Sequence, residues 1–355
     1  MVPLRVIALQ FALAFLSISV ITSRPVAAAP PAPLEGFVEV NGVRLQYLEW
    51  GGKGPALILI HDVGQNAHKF DDLAPAFADR FRVIAYSRRG AAGSQASVPY
   101  DAATLTQDLL GLMDALGIAS ANLASHSFGG LEMTQLAAEH PERVNRIVYL
   151  DAAYDFTDPD FPLARTALPA WVFARPTSAM TSFDAYRSYE EKNWYGELDD
   201  MTRIDAYLHQ NVVIQSDGSL KDRPPPGTND AIFSTLATGK RDYSRVRCPV
   251  LAIYAEYVLA IHSTDARRRN DALVWEQKYW RPFQAKSIEL MRRELIDVEI
   301  SHIGGRQVSF FLTNRREVVD IMRRFLTRPE RSGVQRGADS MPAPGTFNSD
   351  RVAAK

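Results

Sequence analysis

Ser127 lies in the run Ala121-Asn122-Leu123-Ala124-Ser125-His126-Ser127-Phe128-Gly129-Gly130, where an apolar, strand-like stretch passes into a helical one that Pro141 ends. Small residues stand two before and two after the serine. A strand-to-helix turn this tight admits only small neighbours; it lifts the hydroxyl clear of a sheet and aims backbone N–H groups at the same point. Ser125 replaces the first glycine of that pattern. The chemistry such a serine suits is attack on a carbonyl carbon. It needs a base for the serine proton, a carboxylate to orient the base, and donors for the oxyanion. Cys248 is the only cysteine and the seven histidines are scattered, so the sequence implies neither an internal disulfide nor a metal site, and no dissociable cofactor.

The elements that must position this serine read as alternating strands and helices. Phe37 to Val40 and Val43 to Glu49 flank Asn41-Gly42, a hairpin signal because both central residues of that turn need positive φ. Short apolar runs follow at Ala56–Ile60, Val83–Tyr86, Ala121–Ala124, Ile147–Leu150, Val250–Tyr254 and Val298–Ile300. Their unbroken hydrophobicity suits buried parallel strands. Between them, Leu105, Leu109, Leu112, Met113 and Leu116 share one helix face, as do Val318, Ile321, Met322, Phe325 and Leu326. The alternation predicts an α/β fold: a mostly parallel, eight-stranded sheet covered by helices. It breaks from Ala152 to Asp242, where prolines punctuate the chain and eleven aromatic residues fall between Tyr154 and Tyr207. This reads as an inserted cap with an apolar underside, presenting several of Trp171, Phe173, Tyr186, Trp194 and Tyr195 inward.

The 355 residues are 46% hydrophobic, enough for a large core and incompatible with a disordered chain. With 40 basic and 41 acidic side chains the formal charge is −1. Arg267 to Arg269, Arg292-Arg293 and Arg323-Arg324 are interleaved with Glu294, Glu317 and Asp320, as on solvated helix faces. No nucleic-acid partner is expected. Gly51-Gly52-Lys53-Gly54 precedes a strand and so reads as a turn, not a phosphate loop.

From residue 37 to 328 the chain resembles the α/β-hydrolase superfamily, most closely its exported bacterial serine esterases. Besides the Ser127 turn, Leu57-Ile58-Leu59-Ile60-His61 resembles the strand entering the oxyanion loop, and Ser87-Arg88-Arg89-Gly90 the loop after the next strand. His140-Pro141-Glu142-Arg143-Val144 followed by Ile147 to Asp151 resembles the family's helix exit into strand six. The resemblance implies Ser127 as nucleophile, the N–H groups of Val63 and Phe128 as oxyanion donors, and chain order serine, acid, histidine. It further places His61, Asp62, His126, Trp171 and Trp194 around the substrate.

Two family positions are filled otherwise. The acid expected after the seventh strand falls on Val258, so the resemblance shifts the role to Asp151, with Glu256, Asp155 and Asp265 as alternatives. The histidine expected before the last helix falls on Val308; the nearest is His302, expected in a loop past Ile300. His68, His140, His209 and His262 lie in helical or cap contexts. Asp62 stands where the family has glycine, and Ala92 where it has a second one; Asp62 is expected to turn the Val63 donor away from its target. Ser127 also separates the chain from the fold's epoxide hydrolases and haloalkane dehalogenases, which attack with Asp.

The expected function is hydrolysis of small or medium apolar carboxylic esters through an acyl-enzyme, with Ser127, His302 and Asp151 as the triad. The alternative is a noncatalytic member of the fold that binds a ligand or partner. The oligomeric state is left open. Met1 to Arg5 give a basic start, Val6 to Ile21 an apolar stretch, and Val26-Ala27-Ala28 a small-residue cleavage site. The expected organisation is a signal peptide at 1–28, a Pro-rich linker at 29–36, a core at 37–151 and 243–328, a cap at 152–242 and a disordered tail at 329–355. No segment after the leader is long enough to span a bilayer. Export to the periplasm or medium predicts that intact mass spectrometry finds residues 1–28 missing from the mature protein; a full-length chain as the sole form in the cytoplasm contradicts it.

Overall fold

The computed structural model describes residues 32–329 apart from 237, 238, 240 and 260–262. The expected leader, the first part of the linker and residues 330–355 of the tail lie outside the described residues. Ten strands are described: β1 (Leu34–Val40), β2 (Val43–Glu49), β3 (Ala56–Ile60), β4 (Arg82–Tyr86), β5 (Ala121–His126), β6 (Val144–Leu150), β7 (Val212–Ile214), β8 (Leu220–Asp222), β9 (Val250–Tyr257) and β10 (Val298–Arg306). β7 and β8 form a small hairpin of their own. The other eight form one sheet in the order β1-β2-β4-β3-β5-β6-β9-β10. β2 runs antiparallel to both its neighbours, and every pair from β4 to β10 is parallel.

Local sequence accounts for these elements. Asn41 and Gly42 take φ of 49° and 72°, the left-handed pair that a two-residue hairpin needs. β1 starts at Leu34, inside the expected linker, because Leu34 to Gly36 find register with Glu49 to Tyr47. β3 is buried at all five positions, with Ile58 and Ile60 facing one core layer and Leu57 and Leu59 the other. Burying each such side chain contributes about 1.5–3 kcal/mol. Helices α1 (Ala102–Ala115) and α2 (Gly130–Glu139) follow β4 and β5. Asp101 caps α1 by accepting from Thr104 N–H.

The inserted cap carries α3 (Asp160–Thr166), α4 (Phe183–Glu190), α5 (Asp205–Asn211), the β7–β8 hairpin and α6 (Thr228–Leu236). After β9 come α7 (Ala266–Trp275) and α8 (Arg281–Glu294), and after β10 the short α9 (Phe310–Thr313) and α10 (Arg315–Thr327). α10 buries Val318, Val319, Met322, Phe325 and Leu326 against the second layer.

Charge pairs anchor the loop after β4. The Arg88 Nε donates at 2.9 Å to both Glu132 oxygens, and Tyr86 Oη donates to Glu132 Oε1 at 2.7 Å. Arg89 forks onto Asp108 of α1 at 2.6 and 2.7 Å. All four charged groups are buried. Removing one member of a buried pair leaves an uncompensated charge. Arg88→Met is therefore expected to cost about 3–5 kcal/mol in urea unfolding, part of it recovered in Arg88→Met/Glu132→Leu. A loss below about 1 kcal/mol would show that the pair carries little stability.

Candidate active site

Ser127 sits at the end of β5 with φ of +50°, the strained turn that the small neighbours permit. The crowding explains them: a Cβ on Gly129 would come within 3.0 Å of the His61 carbonyl oxygen and 2.8 Å of Arg88 Nη2. On Gly130 it would meet Ala152 O at 2.4 Å. Ser125 fits where glycine was expected, with its buried hydroxyl oxygen left without a partner.

The oxyanion loop follows β3. His61 is buried and bridges two loops, with Nδ1 2.6 Å from Asp62 O and Nε2 accepting from Arg88 N–H at 3.0 Å. These contacts suit a neutral ring donating from Nδ1, and burial followed by the nearby Arg88 charge holds its pKa well below the usual histidine range. Asp62 does not turn the Val63 donor away. Its φ is not among the positive ones, and Gly64, at +72°, makes the loop's left-handed step. Instead, Asp62 Oδ1 accepts from Val63 N–H at 2.7 Å and from Phe128 N–H at 3.2 Å. The Ser127 hydroxyl faces this carboxylate and favours its charged form. Val63 and Phe128 thus converge on one point beside the serine, and the atom at that point belongs to the chain itself.

His302 and Asp151 are not brought to Ser127. β10 does not end at Ile300: it continues to Arg306, with His302 paired to Tyr254 inside the strand. Through the registers of β5, β6, β9 and β10, His302 is level with Ser127, but three interstrand steps put the two backbones about 14 Å apart. That exceeds the reach of an imidazole. The exposed His302 ring stacks on Tyr254, with centroids 5.6 Å apart. Partial burial, then Arg281 and Arg292, lower its pKa. Asp151 Oδ1 accepts from Tyr154 Oη at 2.7 Å and Ala255 N–H at 3.0 Å; the phenol takes the place a histidine would need. Burial raises the Asp151 carboxyl to about 7. Asp155 and Asp265 cap their own turns, and Glu256 is exposed. Among the described residues no histidine ring is hydrogen-bonded to Ser127.

The two family positions filled by valine are served by neighbours that the sequence gave no reason to single out. Glu276 Oε1 accepts from Val258 N–H at 2.5 Å and Leu259 N–H at 2.7 Å, which places a carboxylate at the expected acid corner. Beside Val308, the Gln307 side-chain amide lies 3.1 Å from His126 Nε2, whose Nδ1 lies 3.1 Å from Gln65 Oε1. His126 thereby ties the oxyanion loop to the loop after β10. Burial, then Lys69, hold its pKa down at about 3. Lys69 is itself buried, donating to Tyr195 Oη at 2.8 Å and lying over the Tyr195 and Tyr207 rings. Burial lowers its pKa to about 7.

The cap closes over the elbow through phenylalanines. Phe128 stacks on Phe156 at 4.2 Å and meets Phe233 at 4.6 Å and Phe161 at 6.2 Å. Trp171 packs under Arg268 and Trp194 under Arg306. Tyr186 and Tyr195 are buried, whereas Phe173 is 73% exposed and faces solvent, against the expectation that it points inward. No group of three His, Cys, Asp or Glu side chains that could hold a metal occurs among the described residues.

A family model described as alpha/beta hydrolase fold matches residues 55–289. The chain belongs to that family. Among curated relatives, it is 29% identical over 215 residues to epoxide hydrolase A of Mycobacterium tuberculosis (strain ATCC 25618 / H37Rv), covering 59% of this chain and 61% of that one. It is 33% identical over 127 residues to fluoroacetate dehalogenase of Burkholderia sp, covering 33% of this chain and 41% of that one. The match therefore spans about three fifths or less of these relatives' lengths. The solved structure of E-2-(acetamidomethylene)succinate hydrolase superposes with a TM-score of 0.66 at 21% identity, covering 83% of this chain and all of that one. It shares the fold. For this alpha/beta hydrolase, removing an exposed ring remote from the elbow should matter little: His302→Ala is expected to change the labelling rate of Ser127 by a serine-reactive phosphonate less than about twofold. A loss of more than tenfold would return His302 to the site.

Proposed function

We propose that this alpha/beta hydrolase cleaves small or medium apolar carboxylic esters through attack by Ser127 on the carbonyl carbon. The observation that carries the reading is the convergence of Val63 N–H and Phe128 N–H on one anionic oxygen beside the Ser127 hydroxyl. Donors 2.7–3.1 Å from an oxyanion stabilise the tetrahedral intermediate, and each contributes about 100- to 1000-fold in turnover. The Phe128, Phe156, Phe161 and Phe233 rings beside the elbow favour apolar acyl groups over charged ones. A serine at the elbow supports acyl transfer over the alkyl-ester chemistry of Asp-dependent members, although an epoxide hydrolase and a fluoroacetate dehalogenase are among the relatives.

The second reading, a binding protein of this fold, is favoured by one observation: no histidine ring among the described residues hydrogen-bonds Ser127. Turnover of p-nitrophenyl butyrate separates the two. Ester hydrolysis by the wild type should fall at least about 100-fold in Ser127→Ala, and should exceed hydrolysis of a dianionic ester with the same leaving group. Equal rates in wild type and Ser127→Ala favour the binding protein; a preference for the dianionic ester overturns the apolar substrate class.

A further inference from the structure

We propose that the Asp62 carboxylate is a resident occupant of the oxyanion hole, a built-in counterpart of a product carboxylate that has to leave before an ester can react. The inference rests on the reading of Ser127 as nucleophile. Its geometric basis is that a single oxygen, Asp62 Oδ1, takes both donors, Val63 N–H at 2.7 Å and Phe128 N–H at 3.2 Å. A planar carboxylate carbon with one oxygen in the hole and a serine hydroxyl beside it has the arrangement of a bound acid product. Hydrogen bonds from N–H to a charged acceptor are roughly twice as strong as neutral ones. A substrate carbonyl, neutral in its ground state, therefore competes poorly for the same two donors. A developing oxyanion cannot share them, because two negative charges would occupy one small, buried site.

Several groups face this carboxylate. Arg88 from the loop after β4, the Ser127 hydroxyl from the elbow and the Val63 and Phe128 amides favour its charged form. Lys69, from the turn after the oxyanion loop, is also within electrostatic reach, as is Tyr207 of α5. His61, on the same loop, is held neutral. Burial outweighs the favourable contacts and lifts the Asp62 carboxyl to about 6. The sign follows: above this value Asp62 is charged and fills the hole, and as pH falls through it the occupant becomes neutral and its hold on the two N–H groups weakens.

The test compares phosphonate labelling of Ser127 in wild type, Asp62→Gly and Asp62→Asn from pH 5 to 7.5, with Ser127→Ala as the blank. Using the ratio of variant to wild type cancels pH effects common to all three. With Asp62 in the hole, Asp62→Gly should label at least about tenfold faster than wild type at pH 7.5, within the range one donor supplies. The ratio should shrink to within about twofold at pH 5, where nine tenths of a group titrating near 6 is protonated. The isosteric Asp62→Asn should show the same narrowing, which guards against a folding defect in the glycine variant. A ratio near one at pH 7.5, with Ser127 labelling readily, overturns the occupant and leaves the serine reading intact. Slower labelling in both variants also overturns it, by showing that Asp62 assists Ser127. Failure of Ser127 to label in any variant overturns both readings together.

Discussion

The carboxyl edge of the parallel sheet is buried under the cap, so a polar group placed there is costly unless it finds a partner within the protein, as most do and the Ser125 hydroxyl does not. An unpartnered amide or hydroxyl costs about 1–3 kcal/mol and a lone charge more. The organisation around Ser127 follows from this constraint. His61 holds the oxyanion loop to the loop after β4, His126 holds it to the loop after β10, and Arg88 finds Glu132 beneath them. The hole obeys the same rule: its two N–H groups are satisfied by the Asp62 carboxylate.

The sequence made most of the scaffold legible because periodicity and turn chemistry are local signals. The Asn41-Gly42 hairpin, the buried runs that became β3 to β6 and β9, the faces of α1 and α10, and the elbow itself all depend on residues a few positions apart; the run Val298–Ile300 did become a strand, β10, but at the sheet edge, where it is half-buried to exposed. The errors lie where a role depends on distance through space. Counting along the chain puts His302 in a loop, but β10 gains backbone pairing with β9 through Ile303 and gains burial for that isoleucine. The strand therefore runs on and carries the ring away from Ser127. For Asp62, the expected conformational penalty of replacing glycine does not arise, since the left-handed step falls on Gly64. What no local rule could give was the reach of its side chain across the loop to Phe128 N–H.

Lys69 and Glu276 were illegible for a related reason. Nothing in Asn66-Ala67-His68-Lys69-Phe70 distinguishes a buried lysine from one in solvent; the difference is made by Tyr195 and Tyr207, more than 120 residues away. Glu276 reaches its corner because a helical turn after α7 points it at the chain leaving β9. Glu276 stands against Val258, the position at which the resemblance expects an acid.

Phe128 serves two structures at once: its backbone N–H is one wall of the hole, and its ring is clamped among Phe156, Phe161 and Phe233 of the cap. Lifting those rings would drag the donor with them. This stretch of roof therefore behaves as masonry and not as a hinged door, and the precision of the donor pair is inherited from the stiffness of an aromatic stack. Shortening any of these three cap side chains would therefore loosen a hydrogen bond that none of them makes.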